Sequence, residues 1–88
     1  MSEGFQEALV TYEPLAWSEL DFAVRYNGDY AGCVKKADHA TNFICTVAMD
    51  RDGKRVLHAI GRSSSIPKGA RDVAYQWWLN HRASEHQR

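Results

Sequence analysis

The chain is poor in the residues that mark specialised classes of protein. Of its 88 residues only two are cysteine and two are proline. Cys33 and Cys45 form no Cys-x-x-Cys, and His39, His58, His81 and His86 contain no His-x-x-x-His, so a zinc site finds no support and no metal or cofactor is expected. Each cysteine lies in a strand-like run, where a small thiol packs well; both are expected to be reduced and structural. An excess charge of one sign is missing as well. Lys and Arg number 11, Asp and Glu 11, which argues against a strongly basic nucleic-acid binder but leaves room for a local patch. No run approaches the roughly 20 apolar residues that span a bilayer. Met1-Ser2-Glu3-Gly4 begins nothing like a basic-then-apolar signal peptide. The expected location is therefore cytoplasmic or nuclear, with no membrane partner. Strand-elbow nucleophiles, Gly-rich phosphate loops and triad spacings are absent too, and a non-catalytic domain is expected.

What is present is enough for one small core, since 44% of the residues are hydrophobic. A single domain is expected over 5–82, with 83–88 as a disordered tail of a piece cut from a longer protein. Phe5, Ala8, Leu9 and Tyr12 fall on one face of a short helix. From Leu15 to Tyr26 two patterns compete. Leu20, Phe22, Val24 and Tyr26 alternate like a strand and lead into Asn27-Gly28, a type I′ hairpin pair. Trp17, Leu20 and Val24 also share a helix face, with Pro14 well placed at its start. Tyr30 to Lys36 reads as a strand, Phe43, Cys45 and Val47 alternate in another, and Arg55 to Ile60 returns after a polar turn with Gly53 at a positive φ. A serine before Pro67 then caps a helix running to about His81, with Ala70, Val73 or Ala74, and Trp77 or Trp78 inward.

The order strand, turn, strand, Gly-containing loop, helix resembles the double-stranded RNA-binding domain. The residues that carry the resemblance are Phe43, Cys45 and Val47, then Gly61 and Ser63, then Ala70-Arg71-Asp72-Val73-Ala74, which is similar to the family's A-K-x-x-A-A. His39 stands where the family has a loop histidine before its second strand, and Phe5-Gln6-Glu7-Ala8-Leu9 resembles its L-Q-E first turn. The resemblance implies an α+β fold, α-β-β-β-α, with a three-stranded antiparallel sheet, room for one extra strand, and helices on one face. The first helix is placed at either Phe5–Tyr12 or Pro14–Tyr26; the local pattern leans to the former. Two departures stand out. Ser64 and Ser65 occupy the place of the family's Lys-Lys, and Lys36-Ala37-Asp38 replaces Gly-Pro-x.

What the resemblance implies about function is sequence-independent binding of duplex RNA by shape, across two minor grooves and the phosphates between them, over roughly 16 bp. The residues implied are Glu7, Lys36, His39, Ser64, Lys68 and Arg71; Lys68 and Arg71 lie one turn apart near a helix N-terminus, where free amides favour phosphate. The rival expectation is a degenerate member of the fold that dimerises or docks on a protein through its sheet or its Trp-bearing helix. Trp77 and Trp78 are consecutive and cannot both face one core line, so Trp78 is the candidate interface residue. Neutral charge and the missing lysines favour the rival; His39, Lys68 and Arg71 favour RNA.

Overall fold

Two hairpins with identical turn chemistry organise the molecule. The computed structural model describes residues 4–16, 21–36 and 42–86, with side chains through His81. After one 3-10 turn, Glu7–Leu9, come β1 (Val10–Pro14), β2 (Asp21–Tyr26), β3 (Asp29–Lys36), β4 (Phe43–Arg51), β5 (Lys54–Ser63) and α1 (Ile66–His86). The strands form one antiparallel meander in the order β1-β2-β3-β4-β5. Asn27-Gly28 and Asp52-Gly53 turn the two hairpins with φ of 53° and 89°, and 55° and 78°. Both central residues of a type I′ turn need positive φ, which Asn, Asp and Gly tolerate best.

This architecture corrects the expected α-β-β-β-α fold. The described residues hold five strands rather than three or four, and a single α-helix. Phe5 to Tyr12 gives only the turn at Glu7–Leu9, then Val10 to Pro14 pair with Tyr26 to Phe22. The reason is length and residue type. Eight residues are well short of the roughly 12–15 that make a helix self-supporting, and Val10, Thr11 and Tyr12 suit a pleated surface better. The alternative first helix is overruled by the alternation in Asp21–Tyr26, where Asn27-Gly28 folds β2 onto β3; the rest of that placement, 17–20, lies outside the described residues.

α1 lies on one face of the sheet, chiefly over β3 and β4. Val24, Val34, Val47 and Val73 are fully buried there, with Cys45, Ala70 and Ala74; burial of each valine side chain contributes about 1.5–3 kcal/mol. Small groups set the approach. A Cβ on Gly32 of β3 would strike the Thr46 carbonyl oxygen and stand 2.7 Å from a Val73 methyl, while one on Gly69 of α1 would meet the Cys45 sulfur at 3.1 Å. The run Ala70 to Ala74 is therefore the docking surface of the helix, as its small residues suggest. Ser65 starts α1: its Oγ accepts the Lys68 backbone N–H at 3.3 Å.

Candidate interaction edge

The described residues singled out for RNA lie toward the start of α1, with a carboxylate among the cations. Glu7 lies in the 3-10 turn and its carboxylate pairs with Arg71 at 3.5 Å, both side chains mostly exposed. Such a pair is worth about 0–1 kcal/mol, yet it puts an anion against one of the two cations assigned to phosphate. Lys68 is exposed in the first turn of α1, Ser64 is exposed just after β5, and Lys36 is exposed at the end of β3 that lies across Phe43 from Ser63. His39 falls outside the described residues.

Neither of the two consecutive tryptophans of α1 is a plain core residue. Trp77 is half-buried against Tyr26, with its ring stacked on His81 at 4.9 Å. Trp78 is also half-buried, edge-on to Phe5 at 5.8 Å and stacked on Tyr75 at 5.9 Å. Phe5 in turn stacks on Tyr26 at 5.1 Å. The N-terminal segment thus packs against part of Trp78, an arrangement that requires the long-range packing of Phe5 and has no local sequence signal.

Burial pushes the Cys45 thiol above its ordinary value, with Asp72 adding to the effect. Burial likewise raises Cys33, opposed by a hydrogen bond with Thr46. Cys33 pairs in register with Thr46 and Cys45 with Val34, so the two thiols point to opposite faces and remain free.

Two hollows flank the helix. β3 and β4 pair only from Gly32↔Val47 to Lys36↔Phe43, so Asp29–Ala31 and Ala48–Arg51 diverge. The resulting cleft, about 390 Å³, is walled by Tyr30, Met49, Asp50, Arg55, Trp77 and His81. Arg55 sits over the Tyr30 ring at 5.1 Å. Burial raises the Tyr30 phenol, aided by Cys33 and opposed by Arg55 and Arg25. The second hollow, about 190 Å³, lies over Gly61 between β5 and α1, with Cys45, Ile60 and Tyr75 lining it and Asp72 at its rim. It is smaller than the roughly 300 Å³ of the usual small-molecule pocket and suits one side chain.

The most unusual feature is β5 itself. It is the last strand of the sheet and ten residues long, yet Lys54 to Ala59 are all exposed. Leu57 is 54% and Val56 42% accessible. Hairpin geometry gives the direction of its backbone groups. Residues flanking a two-residue turn form a hydrogen-bonded pair, and pairs then alternate. From Arg51↔Lys54 the alternation runs through Asp50↔Arg55, Met49↔Val56, Ala48↔Leu57, Val47↔His58 and Thr46↔Ala59. The N–H and C=O of Arg55, Leu57 and Ala59 therefore point away from β4, to the free edge. The other edge is built differently: β1 has five residues and ends at Pro14, which lacks a donor. Sequence reasoning found the strand and its two apolar faces but not its place at the edge.

The architecture is a five-stranded antiparallel meander with one covering helix. Compared with family models, with curated proteins and with solved structures, the chain matches none.

Proposed function

We propose that this chain is a protein-interaction module that takes a strand of a partner onto β5. The observation that carries the reading is the edge just described: three consecutive outward-facing backbone pairs on Arg55, Leu57 and Ala59, bordered by exposed Val56 and Leu57. Proteins usually blunt such edges with short strands, proline, or central charges, because an open row of donors and acceptors recruits other strands. Here the cations Lys54, Arg55 and Arg62 stand only at the ends, and the middle is Val-Leu-His-Ala-Ile. Strand addition draws affinity from main-chain hydrogen bonds and specificity from alternate side chains. Duplex-RNA binding is less well supported: the N-terminal helix that would enter a second minor groove is replaced by β1, and Arg71 is held by Glu7.

Selection of random nonapeptides on the folded chain, followed by amide hydrogen exchange with the selected peptides bound, tests the reading. It expects protection to rise at the amides of Arg55, Leu57 and Ala59. Ala59→Pro, which removes one outward donor and leaves the β4 ladder intact, should weaken these peptides about two- to tenfold, the worth of one hydrogen bond. Protection confined to other elements, or no enrichment of extended peptides, would refute it.

A further inference from the structure

Resting on the strand-addition reading, we infer that the strand β5 takes is the β5 of a second copy, in antiparallel register centred on Leu57. The outward-facing set selects this register. Centred on Leu57, Arg55 of each copy pairs with Ala59 of the other and Leu57 pairs with Leu57, so all three outward-facing residues of both copies are used. Leu57, at 54% the most exposed large hydrophobic among the described residues, then lies against its own copy on the open face of the sheet. A centre on His58 instead would pair Leu57 with Ala59 and leave Arg55 facing the bulge at Ile60-Gly61.

Near its ends the same Leu57-centred register sets the Asp52-Gly53 turn of one copy toward the stretch of the other that follows the β5 bulge and carries Arg62. It also sets Lys54 beside the Ile60 of the other copy, next to the hollow whose rim carries Asp72. Zero formal net charge removes the overall repulsion that would oppose association. The symmetry axis is perpendicular to the sheet, so the result is an isologous pair: one continuous ten-stranded sheet, with both helices on one face.

Sedimentation velocity from low micromolar to near-millimolar concentration, combined with single-cysteine cross-linking in a Cys33→Ser/Cys45→Ala background, decides the matter. In the proposed register the two Leu57 Cα atoms are about 5.5 Å apart, inside the range a disulfide bridges. Leu57→Cys should therefore cross-link readily, while Ala59→Cys, four residues out of register at about 13 Å, should not. Leu57→Lys should leave only monomer, with an unchanged circular dichroism spectrum. A dimer with amides of β5 protected, but with cross-linking at Ala59→Cys, would overturn this register and keep strand addition. A dimer with those amides unprotected, or a monomer at every concentration, would overturn the second copy as partner. Strand addition would then stand or fall with the peptide selection.

Discussion

Gly32→Ala is the most severe single-methyl change the fold can suffer. Gly32 lies at φ 153° next to the bulge in β3, where an added Cβ would strike the Thr46 carbonyl oxygen and reach within 2.7 Å of Val73 Cγ1 and 2.9 Å of Val47 Cα. Two of those three atoms are backbone, so no rotamer change relieves the contact. β3, β4 and α1 would have to separate. Overpacking of a filled core costs about 1–3 kcal/mol, and a strained φ about 1–3 kcal/mol more. The sum, about 2–6 kcal/mol, is a large share of the roughly 4–13 kcal/mol an 88-residue domain possesses. Gly28→Ala is the matched control, because its φ is 89° but its Cβ would meet nothing within 4 Å; it should lose only the conformational part. Urea unfolding followed by tryptophan fluorescence should give a midpoint for Gly32→Ala about 0.3–3 M below that of Gly28→Ala, from an overpacking cost of about 1–3 kcal/mol and slopes of about 1–3 kcal/mol/M. Equal midpoints would refute the close approach of α1 to β3.

Phe5→Ala removes a ring that stacks on Tyr26 and meets Tyr75 and Trp78 edge-on. Because Phe5 is half-buried, the loss should be about 1.5–3 kcal/mol, below the 3–5 of a fully buried ring. A red shift of tryptophan emission should report newly wetted Trp78, and an unchanged spectrum would count against the packing. The thiols predict alkaline instability. Burial raises Cys45 and Cys33 above the ordinary 9.0, so the unfolded chain ionises first. Their contribution is complete below pH 9.0 and is lost as pH rises through the raised folded values. The melting temperature under reducing conditions should therefore fall between pH 8.5 and 10, and by less in Cys33→Ser/Cys45→Ala; an equal fall in that variant would show the thiols are not responsible.

Local signals carried most of the strand pairing. Asn27-Gly28 and Asp52-Gly53 specify two-residue turns through residues that accept positive φ, and alternation in Phe22–Tyr26 and Phe43–Val47 sets which faces are apolar. The run Ala70 to Ala74 likewise marked the inner face of α1. The N-terminal segment was misread because Phe5, Ala8, Leu9 and Tyr12 satisfy a helical period by chance over too few residues. Their partners, Tyr26, Trp78 and Val24, are distant in sequence. The same segment bears on the functional expectation, because a helix there would complete a duplex-RNA surface of the kind the resemblance implies.

The free edge was beyond sequence pattern for a different reason. Val56, His58 and Ile60 on one face, with Leu57 and Ala59 on the other, describe a strand apolar on both sides, the mark of a central position. The bareness of β5 follows instead from widths. Five strands about 4.8 Å apart span about 19 Å, whereas one helix with its side chains is about 10–12 Å across. Gly32 and Gly69 seat α1 over β3 and β4, and Phe5, Leu9 and Val10 fill in on the β1 side. Nothing among the described residues does the same beyond β4, so β5 keeps Val56 in water on the helix side, while Leu57 is exposed on the face opposite α1. A strand supplied from outside the chain covers this edge without changing the placement of the helix, which is why the edge, rather than the helix, carries the proposed function.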